Sequence, residues 1–260
     1  MKTIILCGGR GTRLKEETEF RPKPMVMVGG KPIIWHIMKL YAHFGHNEFI
    51  LALGYKADYI KHFFLNQKAL TSDFTLDTQT HKTTFHLSSR TNIDSFKITF
   101  VDTGLDTLPG ERIRRCEAYI PKTDNHFMVT YGDGVADIAI NDLVSFHKKQ
   151  GMSATITGVH PRSKYGMITT NGDNKVTRFT EKPILRDWIN GGFMIFNRSV
   201  LSDIIEGETE LQLLIRLAKK RQVSLYKHGG FWFAVDTHKE LTDINDMWSK
   251  YDRPWIIWEH

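Results

Sequence analysis

The sequence predicts an α/β fold with a largely parallel sheet, and three observations carry that expectation. Seven short apolar runs, at residues 4–7, 49–53, 98–101, 127–131, 154–159, 193–196 and 223–226, have the length of strands. Segments with helical spacing of apolar residues lie between them, and strand–helix alternation is how a chain builds a parallel sheet covered by crossover helices. Several runs end in glycine or aspartate, where the carboxyl end of a strand opens into a loop.

In chain order, the run at 4–7 leads into a glycine-rich turn. Pro32 then begins a helix on which Ile33, Ile34, Ile37, Met38 and Tyr41 recur at helical spacing, with proline at a favoured first-turn position. A second helix is expected over 54–64, a third over 140–149, and a fourth carries Leu211, Leu214, Ile215 and Ala218. Between residues 72 and 89 the period changes to two. Phe74, Leu76, Phe85 and Leu87 alternate with polar residues there, as in a half-exposed hairpin. This insertion either stands in solvent or reaches another subunit. The end of the chain holds Trp248, Tyr251, Trp255 and Trp258, and so much aromatic surface needs a receiving face, on this chain or on a neighbour. No repeat or low-complexity linker marks a boundary. A single domain over 1–260 is expected, with the hairpin near 70–90 and the aromatic tail near 245–260 attached to it, and the tail makes a homo-oligomer reasonable.

Composition bounds the partners. With 41% hydrophobic and 25% charged residues among 260, collagen-like, low-complexity and wholly disordered chains are excluded. Lysine and arginine exceed the acidic residues to leave a formal charge of +6, which favours anionic partners. The excess is spread along the chain and lacks a basic stripe interleaved with aromatics, so small phosphate-bearing substrates are expected rather than nucleic acid. Cys7 and Cys116 are the only cysteines and form no CxxC pair, which fits a reducing cytoplasm. The opening apolar run is too short for a secretion signal, and no stretch approaches the ~20 apolar residues that cross a bilayer.

The strongest chemical signal is LCGGRGTRL at 6–14, a glycine-rich turn directly after the first strand. Glycines there let backbone N–H groups approach phosphate oxygens. The turn has neither the GxxxxGK[ST] spacing of a Walker loop nor the GxGxxG of a dinucleotide site, since position 14 is leucine. Arg13 stands beside it, and Arg21-Pro22-Lys23-Pro24 follows as a rigid stretch able to aim a lysine at the same place. The 12 histidines contain no HExxH. The pairs His43 with His46 and His81 with His86 read as surface or subunit-contact residues, and no histidine is assigned to catalysis.

GGRGTRL, RPKPM at 21–25 and GGKPIIWHI at 29–37 together resemble the amino-terminal signature of the sugar-phosphate nucleotidyltransferases, in the glucose-1-phosphate cytidylyltransferase branch. The resemblance continues through GYK at 54–56, VDTG at 101–104, TYGDGVAD at 130–137, EKP at 181–183, WINGGF at 188–193, HGGFW at 228–232, Asp236-Thr237 and the PWxxWE-like end at 254–259. It covers nearly the whole chain. It implies a Rossmann-like, mixed but mainly parallel sheet with flanking helices and a small β insertion. It also implies an enzyme that joins CTP to a sugar 1-phosphate, most often glucose 1-phosphate, releasing pyrophosphate for deoxysugar or cell-surface polysaccharide synthesis. The sugar phosphate attacks the α-phosphorus directly, so catalysis rests on positioning two anions and neutralising charge.

By that resemblance Leu6, Gly8, Gly9, Gly11 and Thr12 line the nucleotide, with Gly110 and Arg112 on the nucleotide side. Arg13 acts on the leaving pyrophosphate and Lys23 on the phosphates undergoing exchange. Asp133 and Asp236 hold Mg²⁺, which takes one or two carboxylates and fills its shell with phosphate oxygens and water. Lys182 pairs the sugar phosphate, with Glu181, Asn190, Gly191, Tyr165 and Gly166 around the sugar hydroxyls.

The chain departs from the family at several places. Met27 stands where these cytidylyltransferases carry glutamate, which implies a missing acidic group near Lys23. Pro109-Gly110-Glu111-Arg112 replaces Thr-Gly-Gly-Arg and adds a carboxylate beside the nucleotide. The region after Lys182 is slightly shortened. WExEPL reads Thr209-Glu210-Leu211-Gln212-Leu213-Leu214, which keeps only Glu210 of its two glutamates. Two other readings stand beside the leading one: a cytidylyltransferase for a different phosphorylated acceptor, and a catalytically silent regulator that binds nucleotide sugars.

Overall fold

The computed structural model describes residues 1–86 and 94–258. All seven expected strands form, and they form one sheet: β1 (Thr3–Leu6), β2 (Glu48–Leu53), β3 (Lys97–Asp102), β4 (His126–Tyr131), β5 (Ala154–Val159), β6 (Ile189–Asn197) and β7 (Val223–Lys227). Their order is β7-β5-β6-β4-β1-β2-β3. β4, β1, β2 and β3 run parallel, as do β5 and β7, while β6 is antiparallel to both its neighbours. The sheet is thus mixed and mainly parallel.

Successive residues of a strand face opposite sides, and the central strands are apolar on both. Ile5, Leu51 and Met128 join one core with helices α1 (Ile33–His43), α4 (Ile140–Gln150) and α6 (His238–Ser249). Ile4, Ile50 and Val129 join the other, with α3 (Pro109–Arg115) and α5 (Glu210–Lys219). Each fully buried Ile, Leu or Phe contributes roughly 1.5–3 kcal/mol by leaving water, so the double-sided core holds the strand ends that carry the cleft. The second expected helix, α2 (Ala57–Leu65), covers Ile60.

Local details differ from expectation for physical reasons. Pro32 caps α1 from one residue outside and pairs with Met27 in a two-residue ribbon. α2 begins after Lys56, whose positive φ breaks the helix there. On α5 the buried apolar residues are Leu213, Leu214 and Leu217, beside the buried Glu210, while Leu211 and Ile215 face solvent. α3 and α6 lie outside the four helices expected. α3 is short and basic, and α6 is mostly polar with a capping box of Thr237 and Glu240. A further hairpin, Met167–Thr170 with Val176–Thr180, forms an exposed arm.

The expected insertion is a hairpin of Asp73–Asp77 with Lys82–His86, with Phe74 opposite Phe85 on exposed strands. Leu87 and the rest of the stretch to 89 lie outside the described residues, as does Glu259. The aromatic tail folds onto the chain's own body. Trp255 is buried beside Trp248, Phe231 and His36 of α1, while Tyr251 stays exposed. His36 donates from Nε2 to Val28 O (2.9 Å) and accepts at Nδ1 from Trp255 Nε1 (3.4 Å). Burial lowers its pKa to about 4, which keeps the ring neutral.

Candidate active site

The site stands at the carboxyl ends of β1 and β4, where parallel strands leave a crevice. Asp133 follows β4, and Asp236 follows the short strand Trp232–Ala234. That strand pairs antiparallel with Gly134–Ala136, and Val235 N donates to Asp133 O (2.9 Å). This ribbon brings two aspartates far apart in sequence to one point.

Lys23 meets them there. Its ammonium lies 2.6 Å from Asp133 Oδ2 and 2.5 Å from Asp236 Oδ1, and Arg13 Nη1 reaches Asp236 Oδ2 at 2.9 Å. Pro22 and Pro24 hold Lys23 in a single tight turn. Burial alone would lower the lysine's pKa, but the two carboxylates outweigh it and hold the ammonium above its ordinary value. Burial likewise opposes ionisation of Asp236, while Lys23, Arg13 and Lys164 pull its pKa below the ordinary value. The result is a charged cluster of two anions and two cations on the cleft floor.

Two adjoining cavities open from this cluster. The larger, about 510 Å³, is lined by the glycine turn and faces the 105–109 loop. Leu6, Gly8, Gly9, Gly11, Thr12, Arg13, Lys23, Arg112 and Asp133 all stand on its wall. Arg10 pairs with Asp106 across its mouth (2.8 Å). The smaller, about 360 Å³, shares Arg13, Tyr131 and Asp133 with it and adds Asn190, Gly191, Glu210, Trp232 and Asp236. An elongated anion joined to a second polar group would fit across the two.

Some expected residues sit elsewhere or act differently. Arg112 is 3% exposed and donates to Gly8 O, Leu53 O, Gly104 O, Leu105 O and Thr103 Oγ1. Its guanidinium is thereby committed to holding the glycine turn against the loop at 103–105. A Cβ on Gly8 would stand 2.1 Å from Arg112 Nη1, so glycine is required there. Gly110 is off the cavity wall, and its missing side chain lets α3 touch the backbone at 208–210. Glu111 turns away from the cleft onto Arg114 and Arg115, and Met27 lies on the surface ribbon outside both cavities. Neither departure therefore changes charge on the cleft wall.

Tyr165, Gly166, Glu181 and Lys182 belong to the exposed arm and line neither cavity. Lys182 adopts φ 43°, an uncommon backbone state for a non-glycine residue, and faces Glu181 at 3.7 Å. The arm is tied to the site through Lys164, 3.2 Å from Glu240, which in turn accepts from Asp236 N (2.9 Å).

Tyr131, Trp232 and Glu210 are wall residues that motif reading quoted without assigning. Tyr131 donates to Glu210 Oε1 (2.7 Å), and burial with the adjacent carboxylate raises its pKa, keeping the hydroxyl protonated. Glu210 Oε2 is buried with no partner among the described residues. Period two from Asp133 back to Tyr131 along the strand end was the available signal for Tyr131; Glu210 had none beyond its motif.

Among known families, the nucleotidyl transferase description matches residues 2–250. A probable glucose-1-phosphate cytidylyltransferase of Bacillus subtilis is 42% identical over 261 residues, covering 99% of this chain and 100% of the relative. The glucose-1-phosphate cytidylyltransferase of Salmonella typhimurium is 40% identical over 263 residues, covering 100% of both. Among solved structures, a UDP-glucose pyrophosphorylase complexed with UDP-glucose superposes with TM-score 0.68 at 16% identity, covering 96% of this chain and 98% of that one. HddC from Yersinia pseudotuberculosis gives 0.67 at 22%, covering 95% and 99%. These two support the fold alone.

Proposed function

The chain belongs to the nucleotidyl transferase family, and from that premise we propose that it makes a CDP-sugar and pyrophosphate from CTP and a sugar 1-phosphate, with glucose 1-phosphate as the acceptor. A phosphate oxygen of the sugar phosphate forms the new bond to the α-phosphorus as the bond to the bridging β-phosphate oxygen breaks. The observation that carries the reading is the Lys23 ammonium bridging Asp133 and Asp236 between two adjoining cavities.

In this reading the larger cavity takes the nucleotide and the smaller the sugar. Lys23 neutralises charge on the phosphates undergoing exchange, and Arg13 takes the departing pyrophosphate. Tyr131, Glu210 and Asn190 meet sugar hydroxyls. Glu181 and Lys182, with Tyr165 and Gly166, line neither cavity, and in this reading they meet the sugar phosphate only when the arm swings toward the cleft.

Asp133 and Asp236 fit Mg²⁺, since both carboxylates already converge on one cation. The ion would supply charge neutralisation on phosphate oxygens, which together with water would complete its shell. A cytoplasmic location, a homo-oligomeric assembly and a place in cell-surface polysaccharide synthesis belong to the same reading. Among the described residues no helix is long and apolar enough to cross a membrane.

The test is pyrophosphate release with Mg²⁺ from CTP, UTP, dTTP, ATP and GTP, each against glucose 1-phosphate and other sugar phosphates. CTP with glucose 1-phosphate is expected to lead. A different acceptor leading would make the smaller cavity selective for that phosphate. No turnover with any pair would overturn the enzyme reading.

A further inference from the structure

At the end of the sheet away from the cleft, three side chains meet that the proposed reaction does not use. His126 opens β4, Asn197 closes β6, and the antiparallel register sets them opposite each other. α4 brings His147 to the pair. His126 Nδ1 is 3.0 Å from Asn197 Oδ1, His147 Nε2 is 3.0 Å from the same oxygen, and the two ring nitrogens are 3.2 Å apart. His147 is 1% exposed.

Three mutual contacts of this kind cannot all be hydrogen bonds. A ring nitrogen of histidine is either donor or acceptor, and an amide oxygen or nitrogen is likewise only one of the two. If one ring donates to the other, the amide atom would have to accept from the first and donate to the second. Neither its oxygen nor its nitrogen can do both, so the conflict survives every tautomer and either amide orientation. A cation removes it by taking a lone pair from all three atoms.

We propose that His126, His147 and Asn197 bind a divalent transition-metal ion of the zinc class through two imidazole nitrogens and one amide oxygen. Imidazole suits such ions. An ion about 2.1 Å from each atom would stand about 1.1 Å off their plane, with its outer face left to water.

The surroundings support the assignment. His147 Nδ1 lies 2.8 Å from Thr155 Oγ1, Thr155 Oγ1 lies 2.7 Å from Ser224 Oγ, and Ser224 Oγ donates to Ala154 O at 3.4 Å. Because that carbonyl only accepts, the relay runs outward from His147 Nδ1–H and leaves the Nε2 lone pair for the ion. Outer partners of metal-bound histidines act in this way. Among the described residues no three His, Cys, Asp or Glu side chains converge, and here the amide oxygen supplies the third ligand. Tyr131 lies five steps along β4 from His126, about 17 Å of strand. The ion therefore pins α4 to the sheet and takes no part in the chemistry of the cleft.

The test uses the full, untagged chain stripped of metal. It is titrated with Zn²⁺ by calorimetry and with Co²⁺ by visible absorption. One site per chain is expected, with a rise in Tm on Zn²⁺ addition. His126→Ala and Asn197→Ala should each weaken binding by more than about tenfold and cancel the rise in Tm. Mg²⁺-dependent pyrophosphate release by His126→Ala should match the parent. Absence of binding in the parent, or equal binding by both variants, would overturn the proposal.

Discussion

The Lys23 ammonium lies 2.6 Å from the Asp133 carboxylate, although 110 residues separate the two in sequence. The lysine also reaches Asp236, so one ammonium bridges both carboxylates. Lys23→Ala should lower turnover roughly a hundredfold to a thousandfold, as loss of a charge-stabilising donor does. A change confined to the KM of the sugar phosphate would move Lys23 out of the phosphate-exchange role.

Asp133→Asn and Asp236→Asn remove charge at nearly constant volume. Each should abolish Mg²⁺-dependent turnover while leaving far-UV circular dichroism unchanged. Near-normal activity in either variant counts against its place as a metal ligand.

The same cluster has a pH signature. Asp236 has a depressed pKa, so the stability it adds is present above its unfolded value of 3.8 and is lost as pH falls through the lower folded value. Lys23 has a raised pKa, so its contribution is full below 10.5 and is lost as pH rises through the higher folded value. The Tm difference between the parent and Lys23→Met should therefore be level at intermediate pH and change at both extremes. A difference that varies steadily from pH 6 to 9 would contradict the pairing.

Glu210 should act on the sugar. Glu210→Ala and Tyr131→Phe are expected to raise the KM of the sugar phosphate about tenfold or more, through loss of a buried hydrogen-bonding group. The KM of CTP should stay close to the parent's. Equal effects on both substrates would place the pair in support of the fold.

His36 ties the aromatic tail to α1 only while neutral. Its pKa of about 4, against 6.5 unfolded, means that stability falls as pH drops between these values, by up to about 3 kcal/mol. The cause is burial, which leaves a protonated ring without water, with the nearby Lys31 charge adding to it. Tryptophan emission followed in denaturant from pH 7 to pH 4 should show this loss, and His36→Phe should flatten it.

Arg112 is one place where motif and geometry part. Its motif position set it on the nucleotide side and it lines the larger cavity, yet its donors end on carbonyls of the glycine turn, of Leu53 and of the 104–105 loop. The seven strands were legible because short apolar runs bounded by turn residues are a local signal, and the same holds for α1 and α4. α6 was not, since its polar face outweighs Leu241 and Ile244, and only packing onto the main core makes it a helix.

Local patterning in the chain was enough to establish the strands, the glycine turn and the family, because period and motif order are properties of neighbouring residues. The meeting of Lys23, Asp133 and Asp236, the inward turn of the tail, the outward turn of Glu111 and the triangle of His126, His147 and Asn197 were decided in three dimensions. Strand register and helix packing set which side chains share a space, across 110 residues for Lys23 and Asp133 and 71 for His126 and Asn197, and no local pattern encodes that meeting.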